Sequence, residues 1–314
     1  MKKDTIIIGT RSSKLALWQA EYVKSRLEEK YPELTVELKR MTTKGDKILD
    51  APLAKIGGKG LFTKELEVDM LEGGIDLAVH SLKDMPTEVP DGLMISAITK
   101  RFDPGDAVVS PKYKTFSELP QGAKVGTSSL RRKAQLLHVR PDLNICDLRG
   151  NVNTRLRKLE EENFDAIILA VAGLKRLGFR DRITEVLSKS MVLPAVGQGA
   201  LAIETRVQDR EVRDRIAFLN DADTVQCATA ERAFLARVEG GCQVPVGVYA
   251  VPTEDGRLQV EAVIASLDGR RLYRDKITGR AEAAESLGRE LADRLLDKGG
   301  IEIMHELGLL LNRN

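Results

Sequence analysis

Aromatic residues are scarce in this 314-residue chain, 4% of the total, and the basic and acidic side chains nearly cancel, 49 against 47. A general nucleic-acid binder shows a basic excess or aromatic platforms for stacking bases. A net charge of +2 therefore argues against nucleic acid as a partner. No apolar run approaches the roughly 18 residues that a membrane-spanning helix needs, which excludes a membrane partner of that kind. The start, Met1-Lys2-Lys3-Asp4, carries two lysines, but the apolar run behind it is too short for the core of a secretory signal. A cytoplasmic location is expected. Cysteines and histidines number three each: Cys146, Cys227 and Cys242 are an odd set, and His80, His138 and His305 lie scattered. Neither a disulfide framework nor a metal site is expected, and the thiols should stay reduced. With 42% apolar and 31% charged residues, the composition is that of a globular protein, long enough for two or three domains with their own cores.

What the chain does have is an alternation of strands and helices. Residues 5–9 (Thr-Ile-Ile-Ile-Gly) form a continuous apolar, mostly β-branched run, the mark of a buried strand. An amphipathic helix is predicted over about 14–30, with Leu15, Leu17, Trp18, Tyr22, Val23 and Leu27 on its apolar side. A strand at about 34–40, a Lys/Gly/Asp-rich loop over 42–60, a helix at about 62–72 and a strand at about 75–79 follow. The pattern breaks at 99–105 and restarts with strands near 106–109 and 123–126, a helix at 129–139, a strand near 143–148, a helix at about 152–162 and a strand at 165–171. A second Gly/Pro break, Leu193 to Ala200, precedes another strand and helices at about 209–219 and 224–238. The rest reads as an α+β tail with strands near 246–252, 257–266 and 271–277 and a helix at about 281–298. Such alternation predicts mostly parallel sheets. Two lobes joined by two chain crossings imply a hinged pair with a cleft between them.

Charged and hydroxyl residues cluster where these strands end. Arg11, Ser12 and Ser13 follow the first strand; Ser81, Lys83 and Asp84 follow the strand at 75–79. Thr127-Ser128-Ser129-Leu130-Arg131-Arg132 follows 123–126, Arg149-Gly150-Asn151 follows 143–148, and Lys175-Arg176 lies just past 165–171. In open α/β sheets, ligands bind outside the carboxyl ends of the strands. Arg131 and Arg132 fall in the first turn of a helix capped by Ser128 or Ser129, and Arg155 lies one turn beyond its own cap, Asn151. Cations there oppose the helix dipole unless an anion is present, so the pattern points to an anionic ligand rather than a solvated face.

Other residues carry two readings. Asp84 is either a general acid/base or, as most loop aspartates are, a cap or the partner of Lys83. Lys55 and Lys59 either contact an anion or are simply solvated. Trp18, Phe62 and Phe164 read as core, and Cys146 and Cys227 as small buried hydrophobes. Gly57-Gly58-Lys59-Gly60 lacks phosphate-loop spacing. Cys242 differs, because Glu239-Gly240-Gly241-Cys242-Gln243-Val244-Pro245 sets it on a Gly-Gly turn before an apolar run. It is either a reactive thiol or an attachment point, and no base stands near it in sequence.

These segments resemble the porphobilinogen deaminase family. The resemblance rests on Arg11-Ser12-Ser13, Lys55 through Phe62, His80 through Pro86, Gly126 through Arg132 and Leu148 through Asn151. Leu193 through Gly199, Glu231-Arg232 and Gly240 through Pro245 complete it, so the likeness covers about residues 5–250. It implies two lobes of the type II periplasmic-binding-protein kind, 1–99 with 200–218 and 105–194, and a small α+β domain, 219–314. It also implies a dipyrromethane cofactor joined to Cys242 by a thioether. On that primer four porphobilinogen units would be linked with loss of ammonia to give linear hydroxymethylbilane.

By the same resemblance Asp84 is the catalytic carboxylate. Ser13, Lys83, Asp84, Thr127, Ser128, Ser129, Arg131, Arg132, Arg149 and Gly150 would hold the cofactor. Arg11, Ser12, Gln19, Lys55, Lys59, Phe62, Arg149, Arg155 and Arg176 would take the substrate. A monomer without metal is expected. Two competitors stay open on the residues alone: a non-catalytic two-lobed binder of organic anions, and a cysteine-nucleophile hydrolase.

Overall fold

Thr5–Arg11 extends the anticipated first strand by two residues, and its Ile6 and Ile8 are fully buried. The computed structural model describes residues 4–47, 60–238 and 244–308. They fall into two compact units, Met1–Phe102 with Ala200–Thr224, and Asp103–Gly199 with Val225–Asn314. In the first unit the strands, numbered along the whole chain, are β1 (Thr5–Arg11), β2 (Thr35–Met41), β3 (Leu77–Ser81), β4 (Leu93–Ile98) and β10 (Leu201–Arg206). Their order is β2-β1-β3-β10-β4. β1 pairs in parallel with β2 and β3, while β10 runs antiparallel between β3 and β4.

The first sheet of the second unit repeats this plan. β5 (Asp106–Val109), β6 (Lys124–Gly126), β7 (Asn144–Cys146), β8 (Ala166–Ala170) and β9 (Glu185–Val186) are ordered β7-β6-β8-β5-β9. β6 is parallel to β7 and β8, and β5 is antiparallel to β8 and β9. In each sheet one strand opposes the other four, and it is the strand entered after a chain crossing, β5 or β10. The α/β class is as expected, but the two sheets are mixed rather than mostly parallel, because the one opposed strand in each makes two of its sheet's four pairings antiparallel. β4 and β9 escape the sequence pattern; β9 spans only two residues, and β4 (Leu93-Met94-Ile95-Ser96-Ala97-Ile98) is a six-residue strand that was not among those expected.

Parallel neighbours need crossovers, and helices supply them. Lys14–Lys30 joins β1 to β2, Leu130–Val139 joins β6 to β7, and Val152–Glu161 joins β7 to β8. The buried face of Lys14–Lys30 differs from the expected one: it carries Ala16, Gln19, Ala20, Val23 and Leu27. Small alanines let this helix lie close to the sheet. Trp18 is thereby turned out, 37% exposed and stacked on Tyr22, not in the core. Phe164 is buried as expected, whereas Cys146 is only half-buried at the end of edge strand β7.

The third sheet is an antiparallel meander of β11 (Val246–Pro252), β12 (Arg257–Ala265) and β13 (Leu272–Arg280). Helices Ala222–Arg237 and Ala284–Leu295 share its core through Phe234, Val248, Val260, Leu291 and Leu295. At Gly288 a side chain has no room, since a Cβ there would lie 2.1 Å from the carbonyl oxygen of Ala230. The helix expected over 281–298 is regular over Ala284–Leu295 and then kinks where Gly299 takes φ 119°, before a short further helix, Ile301–Glu306. No helix of the described residues is long and apolar enough to cross a membrane.

Candidate functional site

Because β1 and β3 are adjacent and parallel, their carboxyl ends share one edge of the first unit's sheet. Arg11 is the last residue of β1, and its guanidinium lies over the ring of Phe62, 4.3 Å from the centroid. Phe62 is therefore a half-buried partner of Arg11 rather than core. Ser12 Oγ donates to the carbonyl of Met41, and Ser13 Oγ accepts from the Ala16 N–H as the N-cap of Lys14–Lys30. β3 ends at Ser81, whose Oγ accepts a 2.8 Å hydrogen bond from Gln19 Nε2.

The next three residues, Leu82–Asp84, form one 3-10 turn. Leu82 is buried, its N–H donates to the carbonyl of Ala200, and the N–H of Met85 closes the turn on Leu82. Met85 then takes the extended conformation that Pro86 demands. Lys83 and Asp84 are left half-buried on a short, anchored turn at the sheet edge.

In the second unit, β6, β7 and β8 likewise end at one edge. Thr127 Oγ1 accepts from the Ser129 N–H and Ser128 Oγ from the Leu148 N–H, which ties the β6 loop to the β7 loop. Ser129, rather than Ser128, caps Leu130–Val139 by accepting from the Arg132 N–H. Asn151 caps the next helix through Thr154, and Arg155 Nε donates to the carbonyl of Gly150. Gly150 takes φ 117°, a conformation that suits glycine. Arg176 Nη2 donates to the carbonyl of Gly199, and Lys175 pairs with Asp103.

Arg131 and Arg132 are each only 5% exposed. The anion that the first-turn pattern called for is supplied in part by the protein itself. Asp106, the first residue of β5, accepts from Arg131 Nη1 at 2.6 Å and from Arg132 Nη2 at 2.7 Å and Nε at 3.0 Å. Arg131 also reaches the Leu193 carbonyl and Arg132 that of Ile168, and Gln198 Nε2 donates to Asp106. Burial on its own would raise the Asp106 carboxyl, but the two guanidiniums outweigh it and hold the group well below the carboxylate range. Burial pulls the Arg131 guanidinium down, and Asp106 opposes that.

Two guanidiniums against one carboxylate leave an excess positive charge. In addition, Arg149 Nη1, at the end of the β7 loop, is buried with no hydrogen-bond partner among the described residues. Both features fit a carboxylate-bearing ligand. Sequence reasoning missed Asp106 and Gln198; an acid opening an otherwise apolar strand, Asp106-Ala107-Val108-Val109, was the available signal. It also missed the buried carboxylate of Glu231, which accepts from the N–H groups of Gly197 and Ala250. Lys55, Lys59 and Cys242 lie outside the described residues.

Among the described residues no group of three or more His, Cys, Asp or Glu is arranged to hold a metal ion. Residues 6–214 match the model of the porphobilinogen deaminase dipyromethane cofactor binding domain, and residues 225–297 that of the porphobilinogen deaminase C-terminal domain. The chain is 56% identical to porphobilinogen deaminases from Pelobacter propionicus and Trichlorobacter lovleyi, in each case over 96% of both chains. A looser overlap, with TM-score 0.43 and 15% identity over 68% of this chain and 90% of the other, exists with a nutrient binding protein from Burkholderia cenocepacia bound to methionine.

Proposed function

The chain belongs to the porphobilinogen deaminase family, and from that premise we propose how its residues divide the work. The enzyme is a transferase that joins four porphobilinogen molecules head to tail, with release of ammonia, to give linear hydroxymethylbilane. Its dipyrromethane cofactor, when bound, supplies the free pyrrole end that the first porphobilinogen extends. Cys242 is the thioether anchor of that group.

The observation that carries the assignment of Asp84 is its place on an anchored turn at the shared edge of β1 and β3, with Lys83 beside it. As ammonia leaves the aminomethyl group, positive charge develops on the substrate. An ionised Asp84 stabilises that charge, accepts from pyrrole N–H groups and assists proton transfer. Arg149 holds a carboxylate through its Nη1, which has no partner among the described residues, and Arg131 and Arg132 act through the positive charge in excess of Asp106. Ser13, Lys83 and the Thr127–Ser129 and Gly150 loops complete the cofactor cradle. Arg11, Ser12, Gln19, Phe62, Arg155 and Arg176 take substrate, joined by Lys55 and Lys59. Each added pyrrole brings two more carboxylates, which is the reason for so many cations.

Three sheets with their own cores support three domains, 1–99 with 200–218, 105–194 and 219–314. The enzyme works as a cytoplasmic monomer on small molecules, with no nucleic-acid, membrane or metal partner.

One experiment tests the assignment. The intact mass of the purified protein should exceed the sequence mass by two linked pyrroles, and Cys242→Ser should remove the excess. Asp84→Ala should keep the excess yet release ammonia at least about 100-fold more slowly. An unmodified mass in active protein, or near-normal ammonia release by Asp84→Ala, would refute it.

A further inference from the structure

The second chain break opens on Leu193, whose peptide groups are held from two sides. Both sides belong to the second unit, Asp103–Gly199 with Val225–Asn314. On one side is the helix Leu130–Val139. Gln135, 1% exposed, sits one turn after Arg131 on the same face of that helix. Its Oε1 accepts from the Leu193 N–H at 2.8 Å, and its Nε2 donates to the Leu193 carbonyl at 3.2 Å and to the Arg131 carbonyl at 3.3 Å. A side-chain amide that exchanges both bonds with one residue imitates a paired strand. The Leu193 carbonyl takes another bond, 2.7 Å, from Arg131 Nη1, so Arg131 and Gln135 converge on one oxygen.

On the other side is the third sheet. Gly247, in β11, lies so near that a Cβ would fall 2.9 Å from the Leu193 carbonyl oxygen, and the Val248 N–H donates to the Pro194 carbonyl at 3.1 Å. Just upstream, Arg274 of β13 donates through Nη1 and Nη2 to the carbonyls of Ser190 and Lys189. The far end of the helix is gripped as well. His138 Nδ1 lies 2.8 Å from the carbonyl oxygen of Gly269, in the β12–β13 turn. Gly269 takes φ 72°, and a Cβ there would meet the His138 backbone nitrogen at 2.5 Å, so the close approach requires glycine.

The helix that presents Arg131 and Arg132 is thus fastened to the sheet whose first strand begins four residues after Cys242. We propose that Gln135 is a positioning residue: by clamping Leu193 between Arg131 and β11, it fixes the spacing between the cofactor's anchor and the guanidiniums that draw its carboxylates. The proposal rests on the assignments of Cys242 and Arg131 above. It also gives the Leu193–Gly199 motif a role. Removing the amide leaves the Leu193 N–H unpaired in a buried place and frees the segment to shift against β11. The primer's free end is then displaced, which slows each addition without weakening substrate binding.

Hydrogen exchange of the holoenzyme, read at single amides, tests the clamp, and steady-state kinetics test its purpose. In the wild type the Leu193 and Val248 amides should be protected. Gln135→Met, matched in length but without the hydrogen bonds, should speed the exchange of both at least about tenfold. Its kcat should fall at least about fivefold with KM little changed. Leu291→Ala thins the third core and lowers the melting temperature without touching the clamp. It should keep wild-type kcat at a temperature where both variants are folded. Rapid Leu193 exchange in the wild type overturns the proposal, as does full turnover in Gln135→Met or an equal loss of kcat in Leu291→Ala. Exchange is read without turnover. A wrong assignment of Cys242 would instead appear as an unmodified intact mass, and one of Arg131 as a fully active Arg131→Leu, with the wild-type Leu193 amide still protected.

Discussion

At the scale of single residues, charge excess decides what the second unit's sheet edge can do. Asp106 is shared by Arg131 and Arg132, and none of the three reaches bulk water. Removing the carboxylate leaves two buried guanidiniums without a counter-charge, a loss worth about 3–5 kcal/mol. Asp106→Asn should therefore unfold at markedly lower urea concentration than wild type, and an unchanged midpoint would contradict the shared ion pair. The two arginines were legible in the sequence, because cations in a helix's first turn need an explanation. Asp106 was not: it lies 25 residues before Arg131, and nothing local marks the two as partners. The contact of His80 with Glu204 spans 124 residues and was equally invisible. Asp84 was legible through its motif, but the burial of Leu82 that anchors its turn came only from the packed sheet.

At the scale of elements, local chemistry carried most of the reading. Ser13, Ser129 and Asn151 all cap the helices they precede, as serine and asparagine do when a strand ends and a helix begins. The error over Trp18 came from a pattern of large apolar residues that competed with a stripe of alanines, and close packing chose the alanines. One tie between elements was hidden altogether. Glu231, on Ala222–Arg237, accepts 2.7 and 2.9 Å hydrogen bonds from the N–H groups of Gly197 and Ala250, so it joins the second chain break to β11. Glu231→Ala leaves two buried N–H groups without that acceptor, each costing on the order of 1–3 kcal/mol. Its melting temperature should drop by roughly 5 °C or more in a thermal scan. A shift within error would show that water replaces the carboxylate without penalty.

At the scale of the whole molecule, many carboxylates are held by basic or hydroxyl partners. The hydrogen bond from Arg140 takes the Asp142 carboxyl down to about 2, Lys298 lowers Asp275, and the Thr224 hydroxyl lowers Asp221. A group whose folded value is depressed contributes stability above its unfolded value and loses it as pH falls through the folded one. The melting temperature should thus hold above the ordinary aspartate value of 3.8 and decline as pH is lowered toward about 2. A protein that grows more stable on acidification over that range would reverse the sign and refute it. The sequence by itself determined the apolar strand runs, the helix starts, the order of the family motifs and the kind of chemistry, since each is written in neighbouring residues. Only the tertiary structure decided that two sheets share one strand order, that β5 and β10 oppose their neighbours, and that Asp106 answers two arginines while Gln135 clamps Leu193. Those outcomes depend on distance and on the exclusion of water between groups far apart in the chain, and neither quantity exists until the chain has folded.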